Sequence, residues 1–254
     1  MTRVSFSCNC LSVTMPKSWS DLTQQELDTV YRLMSRVSRE ELPLYVFRAL
    51  SGMRIIRELK DGRFLCVFRS HDHKKKVGLP LEPEELACML DCLDFLMTPG
   101  DVPVRLDSMQ KRKAVDAQLH YVTFGDYLHL ESFYQGFLIS QSPEAVVAMA
   151  GILYPGKPFV RLSDHETLNV VNWMVQVKSN FSRMFDNFFK PAQTNEEPPS
   201  MLEVMNNEIR ALTGGDPTKE DMILSLDCWR ALTELDFKAK EAEEYNRMAN
   251  KNSQ

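Results

Sequence analysis

The sequence predicts a mainly α protein, a multi-helix bundle with a small β-hairpin or three-stranded insertion near residues 53–79. Three observations predict it. Apolar residues recur at intervals of three and four along most of the chain, the spacing of one helix face. A single pair of short apolar runs is joined by an Asp-Gly turn, the strongest short hairpin signal. Only 10 of the 254 residues are glycine, too few to favour folds built on glycine-rich phosphate-binding turns.

Taken in order, Pro16 and Trp19 lie in a loop that leads into the first helix. Ser20 or Asp21 can cap that helix, which carries Leu22, Leu27, Val30, Leu33 and Met34. A second helix spans about Ser38 to Leu50, with Pro43 near its first turn and Gly52 ending it. Met53–Leu59 and Arg63–Arg69 form the hairpin around Lys60-Asp61-Gly62, and a third strand takes in Val77–Leu79. These strands need neighbouring helices to pack on, because a lone hairpin is marginal in water. Pro83 opens a helix with Leu86, Met89, Leu90, Leu93 and Leu96, and Glu84 and Glu85 suit its N-terminal dipole. The stretch from Val104 to Val122 has no clear period. Thr123 caps a helix with Tyr127, Leu130, Tyr134 and Phe137 on its apolar face. Ser142-Pro143-Glu144 begins another, ending at Tyr154-Pro155-Gly156. Ser163-Asp164 starts a long helix with Leu168, Val171, Val175, Phe181, Phe185 and Phe188. Polar, proline-rich residues 191–199 read as a linker between a main domain (1–190) and a helical C-terminal module (200–254). In that module a helix from Ser200 to Thr213 meets a Gly214-Gly215-Asp216-Pro217 turn. The last helix carries Trp229, Leu232, Leu235 and Ala239, with Glu234–Lys238 and Asp236–Lys240 as i,i+4 pairs.

The formal net charge of −5 gives no basic field for nucleic acid. No run approaches the roughly 20 apolar residues of a membrane span. Met1–Met15 has one basic residue and no small-residue cleavage pattern, so it does not read as a signal peptide. The six cysteines then read as reduced thiols of a cytoplasmic protein. Cys8-x-Cys10 lacks the second Cys/His pair that structural zinc needs. Cys88 and Cys92 read as core. His71-Asp72-His73 before Lys74-Lys75-Lys76 reads as a solvated loop, since three lysines oppose a divalent cation. Lys111-Arg112-Lys113 reads as a solvated face. No phosphate loop, nucleophile elbow or zinc-protease motif occurs. No catalytic residue, cofactor or metal is therefore expected. Aromatic anchors dominate protein interfaces, and the candidate partner-binding residues are Phe185, Phe188, Phe189, Trp229 and Leu232.

Three segments carry a resemblance. They are Trp19-Ser20-Asp21-Leu22-Thr23, then Thr123-Phe124-Gly125-Asp126-Tyr127-Leu128 leading to Ala148–Pro155, and Leu212–Lys219 leading to Cys228–Leu235. On these the chain resembles a family of proteins encoded among tail genes in prophage-like regions of gut Bacteroidetes. Its C-terminal segment is similar to the tail assembly chaperones of long-tailed phages. The resemblance implies a non-enzymatic chaperone in the cytoplasm of a bacterial host. It would bind the tape-measure protein, with self-association compatible and neither nucleic acid nor membrane involved. Two alternatives stand beside it: a virion structural component such as a tail or head–tail connector protein, and an enzyme with a site near His71 and His73.

Overall fold

A computed structural model describes residues 3–8, 11–69, 76–190 and 200–252. The His71/His73 loop, Cys10 and the 191–199 linker lie outside the described residues. The fold is mainly α with a small antiparallel sheet, as the sequence predicts. The chain divides into two compact units: residues 1–106 with 163–169, and 107–162 with 170–254. This corrects the division expected at the linker. Residues after 200 bury apolar side chains among those of 122–185, so they complete a core rather than form a separate module.

The first unit begins with an unexpected hairpin, β1 (Arg3–Cys8) and β2 (Leu11–Pro16), in register from Arg3↔Pro16 to Cys8↔Leu11. Its sequence signal is the alternation of Val4, Phe6 and Cys8 with Leu11, Val13 and Met15. Trp19 begins a single 3-10 turn, and the cap of α1 (Gln24–Met34) is Thr23 rather than Ser20 or Asp21. Thr23 accepts the Glu26 N–H while Glu26 accepts the Thr23 N–H, a reciprocal capping box. The Trp19 indole donates to the Thr98 carbonyl at 2.9 Å. Gly100 lies against that ring so closely that a Cβ would sit 3.1 Å from it. α2 (Leu42–Ser51) carries Pro43 in its first turn and ends at Gly52, whose φ of 69° favours glycine.

β3 (Arg54–Glu58), β4 (Phe64–Arg69) and β5 (Lys76–Leu81) form the sheet in the order β3-β4-β5. A bulge between Ile55 and Arg57 leaves Ile56 exposed. Cys66 and Phe68 alternate inward and pack with Val46, Phe47 and Leu86, so the strands rest on helices as their marginal stability requires. α3 (Pro83–Asp91) buries Leu86. Cys88 is exposed and Cys92 half-buried, which corrects the expectation that both lie in the core: the turn after α3 commits Leu93 and Leu96 inward instead.

In the second unit the unperiodic stretch forms a two-residue-per-strand ribbon, β6 (Ser108–Met109) and β7 (Arg112–Lys113), and then an irregular loop. Lys111 and Lys113 are solvated as expected. Arg112 folds inward, its guanidinium 3.7 Å from the centre of the Phe159 ring and donating to the Pro158 carbonyl. Thr123 caps α4 (Phe124–Ser140), and Ser142 caps α5 (Pro143–Leu153). α4 packs against α5, α7 (Met201–Thr213), α8 (Glu220–Leu224) and α9 (Cys228–Asn252), so it is buried well beyond one stripe. α6 (Asp164–Met184) contributes Trp173, Val177 and Phe181 to the same core. The Glu234–Lys238 pair forms; Asp236 instead accepts the backbone N–H groups of Asn187 and Phe188.

Two positions on α9 contrast in burial. Leu232 is 0% exposed and Phe237 is 59% exposed. Leu232→Ala is expected to cost about 2–5 kcal/mol, as for other buried leucines. Phe237→Ala is expected to stay within about 0.5 kcal/mol. Urea unfolding followed by tryptophan fluorescence checks both.

Candidate protein-binding site

The segment from Asp116 to Thr123 has no regular secondary structure, yet many of its backbone groups are hydrogen-bonded. Burying polar backbone without a helix or sheet ladder requires side chains to supply the partners. The Trp173 indole donates to the Ala117 carbonyl at 2.7 Å, and the Trp229 indole to the Gln118 carbonyl at 2.7 Å. The Cys228 thiol reaches the Leu119 carbonyl at 3.2 Å. Asp116 accepts the N–H groups of Gln118 and His120. Further along, Cys228 N–H donates to the Val122 carbonyl at 2.9 Å, and Phe124 N–H to the Leu226 carbonyl at 2.7 Å.

Asp227 ties this loop to α9. One carboxylate oxygen accepts the Tyr121 N–H at 2.6 Å, and the other accepts the Trp229 N–H at 3.0 Å in the first turn of the helix. An aspartate before a helix start caps it and complements its dipole. Here the same side chain also fixes a loop 106 residues away in sequence.

The cost of this arrangement lies in the backbone. Leu119 has φ 64° and Tyr121 φ 66°, the left-handed region that bulky residues avoid. Leu119 gains from the conformation, because its side chain is fully buried. Tyr121 does not: it is 93% exposed. Beside it the exposed His120 ring stacks on Trp229, with centroids 4.6 Å apart. The loop therefore holds a solvent-facing aromatic side chain in one strained, over-determined backbone geometry. Such strain is a reason to look for function.

The expected anchor residues fall elsewhere. Leu232 and Phe185 are buried, and Phe185 packs edge-on against Trp229 with centroids 5.4 Å apart. Trp229 is half-buried between His120, Phe181 and Phe185. Phe188 and Phe189 are half-buried on the core's edge, with Lys178 over the Phe189 ring. The aromatic density that nominated these residues reflects core packing. Exposed apolar groups of this unit include Tyr121, Ile139 and Val160 and, on the outer face of α9, Phe237, Tyr245 and Met248. On α9 every residue from 241 to 249 is exposed, so this part of the helix gains nothing from packing.

No family model, curated protein or solved structure matches this chain. Among the described residues no group of three or more His, Cys, Asp or Glu side chains is arranged to hold a metal ion. No described helix is long and apolar enough to cross a membrane.

Sequence reasoning missed Tyr121, because a left-handed conformation at a tyrosine leaves no compositional mark. The legible clue is Asp227, a cap residue directly before the Cys228–Leu235 helix pattern. Since the Tyr121 side chain packs on little, Tyr121→Asn should relieve strain at no packing cost. Asparagine tolerates this backbone region, so the variant is expected to be more stable by about 0.5–1 kcal/mol. Matched denaturant midpoints check it.

Proposed function

We propose that this chain is a non-enzymatic protein-binding factor, of the tail assembly chaperone type, whose partner presents an apolar helical stripe such as that of a tape-measure protein. The observation that carries the reading is Tyr121, almost wholly exposed yet fixed by hydrogen bonds on both sides of its loop. A preorganised aromatic side chain loses little entropy on binding, which is what makes rigid tyrosines effective anchors. The unpacked outer face of α9 supplies a second element. Phe237, Tyr245 and Met248 lie at spacings of eight and three, close to one side of a helix, and suit pairing with another amphipathic helix. The likeness of residues 212–235 to tail chaperones names the partner class. Binding of this kind requires no cofactor.

The test is co-expression with a tape-measure protein of a long-tailed phage. Co-purification and a gain in that protein's solubility are expected. Tyr121→Ala should weaken the complex about tenfold or more while leaving the circular dichroism of the free chain unchanged. No complex with the wild-type chain, or its presence at fixed stoichiometry in purified particles, would overturn the chaperone reading.

A further inference from the structure

Glu131 of α4 is buried, 8% exposed, in the core of the second unit. One of its carboxylate oxygens accepts from Lys178 Nζ of α6 at 2.7 Å and from the Gln135 amide at 2.8 Å. The other oxygen is buried and has no hydrogen-bond partner among the described residues. Glu208 of α7 faces the same cluster, and one of its oxygens is likewise buried without a partner. Two carboxylates thus share one ammonium group, already engaged by Glu131. A second buried negative charge without its own counter-ion is costly.

From this geometry we infer that α7 is a proton-governed latch: it holds firmly to α4 and α9 while the buried Glu208 carboxyl is protonated, and loosens when Glu208 loses that proton. Loosening uncovers Met205, Ile209 and Leu212, which α7 packs against the core, together with the apolar surface beneath them. This goes beyond the proposed binding role and does not depend on it.

The surrounding groups leave Glu208 as the titrating member. From α4 it faces Glu131 and the Tyr127 phenol, and from α6 Lys178. Burial raises Tyr127 well above its ordinary range, so it stays neutral. On the α9 side Cys228 is pushed up to about 12 by burial, and it too stays neutral. Lys219, Glu220 and Asp221, from the 3-10 turn and α8 that also pack on α7, are exposed to solvent. Burial, then the charge of Glu131, pushes the Glu208 carboxyl up from 4.5 to about 7, against the opposing pull of Lys178.

Glu208 is an acid with a raised folded-state value, so the docked state binds its proton more tightly than an opened one. The stability this gives is complete below the ordinary value of 4.5 and is lost as pH rises to about 7. Above that the penalty is constant.

Hydrogen exchange of the α7 amides, normalised for intrinsic rates, tests this on the full chain. Between about pH 5 and about pH 8 the opening constant of α7 should rise by up to roughly 70-fold, while amides of α5 change little. Glu208→Gln should hold α7 equally protected at both values. Glu131→Gln removes the like charge and should shift the midpoint downward, which a merely structural effect would not do. Equal α7 protection in the wild-type chain at both pH values, or an unchanged pH dependence in Glu208→Gln, would overturn the inference.

Discussion

Asp227 serves two chain segments with one carboxylate, and much of the second unit hangs on that division. Its one oxygen starts α9 and its other holds the Tyr121 N–H. Charge-assisted hydrogen bonds of this kind are about twice as strong as neutral ones. Once α9 is started in this position, Cys228 and Trp229 are aimed at the carbonyls of Leu119 and Gln118. The helix then runs on to deliver Ala231, Leu232 and Leu235 to the core. The loop alone would not keep Leu119 and Tyr121 in the left-handed region, because that conformation costs on the order of 1–2 kcal/mol at each. It persists because several partners from distant sequence constrain it together.

Helices were legible where their ends carried side-chain chemistry. Thr123, Ser142 and Ser200 each accept a backbone N–H at the start of α4, α5 and α7, and Gly52 and Gly214 end α2 and α7 in the left-handed region. The Lys60-Asp61-Gly62 turn was legible for the same reason: Gly62 has φ 84°. Two features were less so. The β1–β2 hairpin alternates correctly but lacks a strong turn dipeptide, so its signal is weak. The division into units was misread at 191–199 because proline and polar content mark a connection, not whether the segments on either side pack together. Leu232 and Phe185 show the matching error at the level of the site. Composition identifies aromatic and apolar clusters, but only three-dimensional contacts decide which face of a cluster is used up internally.

The second unit combines two polar devices with different consequences. Around residues 116–123 side chains from distant segments pair with backbone groups of the loop, and the effect is rigidity. Around Glu131 and Glu208 the pairing is incomplete: among the described residues two carboxylate oxygens lack partners and one lysine faces two acids. A satisfied network fixes one structure, whereas an unsatisfied one leaves a helix whose attachment depends on conditions. In this unit the fixed part presents Tyr121 and the conditional part is α7, so a stable presenting surface and an adjustable cover occur in one core.

The central claim is that Tyr121 is presented by a rigid loop that α9 locks in place. Residue-specific amide hydrogen exchange of Tyr121 tests it most directly. The account predicts that this amide, though its side chain faces solvent, exchanges only with the global unfolding of the second unit, at the same opening free energy as the amides of Phe124 and Cys228. Exchange of Tyr121 at the rate of an open surface loop, with Phe124 and Cys228 still protected, would contradict it.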